Sequence, residues 1–141
     1  MPRIFREAAT LILFALAITL ARYALDPAAR ALFQPPQLKE GEVLLQTASR
    51  WNPAPVWIDA RTRKEFEKGH IEGAQLLTLD EDENFDALLF AIDKSGALDG
   101  SRRVVVYCDS AKCDRSREVA ERLRERYRHL QVFVLHGGWR G

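Results

Sequence analysis

Cysteine is scarce in this chain, with two among 141 residues. Two cannot staple a disulfide scaffold, and no cysteine–histidine grouping has the spacing of a zinc site, so neither a metal nor a cofactor is expected. Net charge is nearly absent as well, at +1 from 21 basic and 20 acidic side chains. Nothing in that balance marks a nucleic-acid binder or a protein held to anionic surfaces. Internal repeats and low-complexity tracts are also missing. What is present, 47% hydrophobic and 29% charged residues, excludes a disordered chain.

The apolar residues are unevenly spread. Ala8 to Ala21 runs for 14 residues without a charge. Extending it to Leu25 gives 18 residues and admits Arg22, which can snorkel from a helix end. Such a helix is about 27 Å long, close to the roughly 30 Å of a hydrocarbon core. Arg3 and Arg6 precede it, as on a cytoplasmic flank. The favoured reading of residues 1–25 is a single-pass membrane anchor that leaves the remainder outside the cytoplasm. A cleaved signal peptide, with the C-terminal part secreted or periplasmic, is the alternative, since Ala15/Ala17 and Ala21/Ala24 offer small-residue cleavage sites. A buried helix of a soluble fold fits poorly, because the stretch is apolar on every side. Residues 26–37, with Pro27, Pro35 and Pro36, read as a stiffened linker.

Residues 38–141 alternate strand and helix signals. Val56-Trp57-Ile58 is a short strand ending at Asp59, and Thr62-Arg63-Lys64-Glu65 has the form of a capping box whose helix closes at Gly69. Ala74 to Leu79 reads as a second strand. Phe85, Leu88, Leu89 and Ile92 share one helical face, as do Val119, Ala120, Leu123, Tyr127 and Leu130. Val104 to Tyr107 and Val132 to Leu135 read as strands buried on both faces. The alternation implies an α/β fold with a mostly parallel sheet flanked by helices. Ligands of such sheets bind beyond the C-terminal strand ends.

Two strand ends carry unusual chemistry. Asp59 and Arg61 suit an ion pair that supports a neighbouring loop. Cys108 follows the VVVY strand directly and opens the loop CDSAKCDRS. A cysteine there, near the positive end of the next helix and close to Lys112 and Arg115, suits a thiolate nucleophile. If the loop curls, its N–H groups make an anion nest. The alternative, a small buried hydrophobe, sits badly with the polar and charged run that follows. Cys113 either resolves an intermediate on Cys108 or fills an apolar niche where the helix starts. Two cysteines so close can bond if their Cα atoms approach within about 7 Å.

The segment DARTRKEFEKGHIEGA, Asp59 to Ala74, resembles a conserved-pattern region of the rhodanese-like family, as do the VVVYC strand end and the LHGGW turn at Leu135 to Trp139. The resemblance implies a five-stranded sheet and a sulfurtransferase in which Cys108 carries a persulfide. It further implies that Asp109, Ser110, Ala111, Lys112, Cys113, Asp114 and Arg115 form the substrate loop, with the backbone N–H groups of Asp109 to Asp114 stabilising the persulfide anion. A small sulfur compound (thiosulfate, polysulfide or persulfide) would be donor, and a thiol or cyanide acceptor. Asp59, Arg61 and His70 would support the site structurally, a general-base role for His70 being the weaker choice.

The loop departs from the common C-x-S-G-x-R-S form. Cys113 stands where that arginine would be, Arg115-Ser116 follows two residues later, and no glycine is present. Its C-x4-C-x-x-S pattern is similar to a membrane-anchored bacterial branch of the family. The alternative function is a non-catalytic or redox-sensing module that toggles a Cys108–Cys113 dithiol and disulfide with a redox partner protein. A phosphatase-like Cys-x5-Arg loop is disfavoured, because the sixth residue after Cys108 is Asp114. The arginine-rich segment RSREVAERLRERYRHL interleaves Glu118, Glu121 and Glu125 and reads as a solvated face rather than an RNA site. Trp57 is expected in the core, Trp51 at the surface of a Pro-rich turn, and His129 and His136 carry no signal.

Overall fold

In this computed structural model, residues 2–28, 35–110 and 113–139 are described. The chain divides into two compact units, residues 1–37 and 38–141. The first contains helix α1 (Pro2–Leu25). Within it, Phe5–Leu25 is 21 residues long with a mean hydropathy of 1.9, and none of it is buried against protein. Length and composition therefore allow it to cross a membrane. Its two threonines do not oppose that, since the Thr10 and Thr19 hydroxyls each donate at 2.8 Å to carbonyls of their own helix, Glu7 and Ala15.

The second unit begins with β1 (Glu42–Val43) and the short helix α2 (Leu45–Ala48). There follow β2 (Val56–Asp59), α3 (Arg63–Lys68), β3 (Gln75–Leu76), α4 (Phe85–Lys94), β4 (Val104–Tyr107), α5 (Asp114–Arg126) and β5 (Val132–Leu135). All described strand pairs are parallel, in the order β1-β5-β4-β2-β3. Parallel pairing requires crossovers, and the helices that supply them cover both faces of the sheet.

β4 lies at the centre, and all four of its residues are buried. Alternation divides them between two cores. Val104 and Val106 join Ile58, Leu89, Ile92, Val119 and Leu123 on one face. Val105 and Tyr107 join Val43, Ala48 and Leu135 on the other, with Trp51, Trp57, Phe66, Phe133 and Trp139 packed against them. An uninterrupted β-branched run is stable here because every side chain finds apolar cover.

The helices start where local chemistry provides caps. Thr62 and Glu65 close the capping box of α3 in both directions, at 3.3 Å and 3.0 Å. Asn84 accepts the Ala87 N–H at 3.0 Å and starts α4.

Several expectations from sequence need correction. β1 and α2 carry no periodic signal, since two and four residues are too few, and β1 exists only because β5 pairs with it. The strand expected over Ala74 to Leu79 pairs only at Gln75–Leu76, beyond which the chain leaves the sheet. α5 ends at Arg126, so Tyr127 and Leu130 complete its apolar stripe from the following turn. Trp51, expected at the surface, is only partly exposed: it packs on Phe133 with ring centroids 5.2 Å apart and lies 4.7 Å from the Arg103 guanidinium.

Candidate active site

Register decides what meets at the C-terminal edge of the sheet. Asp59 at the end of β2 pairs with Tyr107 at the end of β4, so Ala60-Arg61 and Cys108-Asp109 leave the sheet side by side. The Ala60 N–H donates to the Tyr107 carbonyl at 2.9 Å and holds the two exits together.

Arg61 is fully buried, and so is Asp59. The Arg61 Nε donates to Asp59 Oδ1 at 2.9 Å and Nη2 donates to Oδ2 at 2.6 Å, a two-pronged pairing within one turn of chain. Nη2 also reaches the Gly69 carbonyl at 2.8 Å, at the end of α3, while Nη1 reaches Asp109 Oδ1 at 3.0 Å, one residue past Cys108. The guanidinium lies 4.9 Å from the Trp139 ring centroid and 5.7 Å from that of Tyr107. Its hydrogen bonds to Asp59 outweigh the cost of burial, and with the bond to Asp109 they hold Arg61 more firmly protonated than a free arginine. One side chain thus ties together the β2 exit, the end of α3, the cysteine loop and the C-terminal turn.

That C-terminal turn braces the loop from the other side. The Trp139 N–H donates to the Cys108 carbonyl at 3.2 Å. Gly138 has φ +78°, and a Cβ there would stand 2.4 Å from the Asp109 carbonyl oxygen. Only glycine lets the two backbones approach so closely. Burial pushes the Tyr107 phenol up and keeps its hydroxyl neutral, where it accepts the Ile71 N–H at 3.1 Å.

Cys108 and Cys113 form a disulfide, with Cα atoms 6.2 Å apart. The expectation of a free Cys108 thiolate is therefore not met in this oxidised form. Cys108 is 1% exposed, whereas Cys113 is partly exposed and stands at the N-cap of α5. The Cys113 N–H, one of those expected to line the nest, donates to the Ser110 carbonyl at 3.1 Å and so is not directed at sulfur. Ala111 and Lys112, both expected in the substrate loop, lie outside the described residues. Ser110 is exposed.

The remaining loop residues are held by partners that the sequence did not announce. Arg115 faces Glu65 at 3.8 Å, and Arg117 bridges Asp114 at 3.2 Å and Glu42 at 3.7 Å. The His136 Nδ1 donates to Glu42 Oε2 at 2.8 Å. Burial would raise the Glu42 carboxyl, but the bonds from His136 and the Lys39 N–H, with the Arg117 charge, hold it below its ordinary range. His70 stacks on Phe66 at 3.8 Å, and its Nδ1 donates to the Phe66 carbonyl at 2.9 Å. Nor is α5 merely a solvated charged face, for Arg124 Nη2 donates to the Val132 carbonyl at 2.7 Å. No group of three or more His, Cys, Asp or Glu able to hold a metal occurs among the described residues. A separate cleft of about 150 Å³ opens at the opposite end of the sheet, beside Ser101, Arg103 and Gln131, and is lined by no cysteine.

A parallel α/β domain with a cysteine loop at the end of its central strand, braced by a buried arginine and a Gly-Gly-Trp turn, defines the class. The family model described as Rhodanese-like domain matches residues 43–141. The chain belongs to the rhodanese-like family. Among solved structures it is similar to the BH2092 protein of Bacillus halodurans, at 18% identity and a TM-score of 0.51, covering 69% of this chain and 66% of that one. The N-terminal domain of a Clostridium difficile 630 protein described as ATP/GTP binding is similar at 20% identity and a TM-score of 0.47, covering 70% and 92%. The first of these likenesses concerns the fold alone. No curated protein matches the sequence.

Two outcomes test this geometry. Arg61→Met leaves Asp59 buried without its partner, which should cost about 3–5 kcal/mol in chemical denaturation; a loss under about 1 kcal/mol would mean the pair is not what secures the loop. Glu65 is the second. Bonds from the Thr62 hydroxyl and N–H, aided by Arg115, hold its carboxyl down to about 2, against 4.5 unperturbed. The folded chain then releases that proton more readily than the unfolded one, so the stabilisation is full above about pH 4.5 and fades as pH falls through about 2. Glu65→Gln should flatten that acid limb of the stability curve, and an unchanged limb would assign it to other carboxylates.

Proposed function

We propose that the domain is a sulfurtransferase in which Cys108 takes up a sulfane sulfur and Cys113 resolves the persulfide. The observation that carries the proposal is the Cys108–Cys113 bond, since it means that the loop brings a second sulfur within bonding reach of the first. In the reduced chain, the Cys108 thiolate attacks the outer sulfur of thiosulfate or a polysulfide. The new S–S bond forms as the old one breaks, and sulfite or a shortened polysulfide leaves with the electron pair. A thiol or cyanide then removes the outer sulfur. Without such an acceptor, the Cys113 thiolate attacks the inner sulfur of Cys108, expels hydrosulfide and closes the disulfide.

The same bond favours a second reading, a redox-sensing module that binds a partner according to the state of this pair. Uptake of sulfur discriminates between them. After reduction and removal of reductant, Cys113→Ser incubated with thiosulfate or polysulfide should gain one sulfur atom in intact mass, held on Cys108. Cys108→Ser should gain none, and the parent chain should release hydrosulfide while returning to the disulfide. An unchanged Cys113→Ser mass at high donor concentration would leave only the redox module.

Residues 5–25 are proposed as a membrane anchor that places the domain in the bacterial periplasm. A compartment in which a cytosolic thiol pool does not reduce the loop accords with the disulfide. Protease added to intact spheroplasts should degrade the domain while leaving it membrane-bound beforehand; a protected domain would reverse the orientation, and a soluble one would make the segment a cleaved signal peptide.

A further inference from the structure

The two sulfurs of the loop are not equivalent, and their difference assigns roles beyond the resolving step. Cys108 is 1% exposed, packed at the end of a strand with no exposed residue and covered by the C-terminal turn through the Trp139 bond. Cys113 is partly exposed and is the N-cap of α5, a helix of 13 residues. Its side chain makes no capping hydrogen bond, so its sulfur is not engaged by the helix N–H groups in the oxidised state. Thiol–disulfide exchange proceeds by in-line attack on one sulfur, and access selects which.

We infer that Cys113, rather than Cys108, is the sulfur through which an external dithiol reductant reopens the loop. This rests on the Cys108–Cys113 cycle proposed above and supplies its reset step. A thiolate of the reductant attacks Cys113 Sγ. A bond forms between reductant sulfur and Cys113, the Cys108–Cys113 bond breaks, and its electron pair leaves on Cys108 as a thiolate. The reductant's second thiolate then attacks the reductant sulfur of the mixed disulfide and leaves the reductant as a disulfide. Cys113 departs as a thiolate at the positive end of α5, where the helix N-terminus stabilises the developing charge. Two electrons pass from dithiol to loop, and the two protons lost by the reductant balance the two thiols restored.

The order has a consequence for sulfur transfer. In the oxidised form Cys108 has no thiol to load, so a partner that engages Cys113 decides when Cys108 becomes a nucleophile. Cys113 is then both the sulfur that closes the loop and the sulfur that answers the reductant.

The sequence makes the test direct, because Lys112 separates the two cysteines into different tryptic peptides, 104–112 and 113–115. Glutathione serves as a monothiol probe, because it lacks the second thiol that would resolve the mixed disulfide within one molecule and acid can trap the adduct. The oxidised full chain in detergent is exposed briefly to glutathione, quenched in acid, alkylated and digested. Glutathione should sit on Cys113 and the alkyl group on Cys108, by roughly tenfold or more over the reverse. An adduct mainly on Cys108, or shared evenly, would overturn the inference. As a second measurement, Cys108→Ser should react with a chromogenic disulfide at neutral pH roughly tenfold faster than Cys113→Ser; the opposite ranking would also overturn it. Failure of Cys113→Ser to take up sulfur would defeat the sulfurtransferase reading without moving the glutathione, so the two fail separately.

Discussion

The buried pair of Asp59 and Arg61 is the constraint on which the rest of the site depends. A carboxylate and a guanidinium removed from water are costly unless each finds full compensation, and a buried pair that loses one member costs more than it ever contributed. Here the compensation is spread over four segments. Asp59 ends β2, the Gly69 carbonyl ends α3, Asp109 belongs to the cysteine loop and Trp139 to the C-terminal turn. The pair is therefore less a source of stability than a device for position. It forces the cysteine loop to leave the sheet in one place, because any other exit strands a charge.

On that frame the described residues of the loop are held by polar partners. Its described cations already face acids: Arg61 faces Asp59 and Asp109, and Arg115 faces Glu65. Gly138 admits the backbone of Asp109 at a distance no side chain would tolerate. The resulting asymmetry between a covered Cys108 and a partly exposed Cys113 is a property of packing. The rhodanese-like family supplies the fold, and the second cysteine closes a disulfide within it.

Much of the fold was legible because the signals are local. Continuous apolar runs at Val104 to Tyr107 and Val132 to Leu135, the capping box at Thr62 to Glu65 and the apolar faces of α4 and α5 each report on their own few residues. β1 was not legible, because two residues carry no period and their strand character is conferred by β5. Trp51 was misread as surface for a similar reason: its cover comes from Phe133 and Arg103, which are remote in sequence. Within the site, the spacing of Asp59 and Arg61 suggested a pair. The roles of Glu65, Glu42 and His136 did not show, since each is defined by partners on other elements.

Sequence alone determined the types of the longer elements, the apolar segment at the N-terminus and the presence of two cysteines in one loop after a buried strand. These follow from periodicity, composition and spacing, which need no knowledge of what lies across the sheet. Tertiary structure alone decided which exits of the sheet adjoin, where Arg61 directs its five donors, and which sulfur remains open to solvent. Those depend on parallel register and on burial by distant residues. The chain itself therefore names the reactive atoms, but only the packed domain tells Cys108 and Cys113 apart.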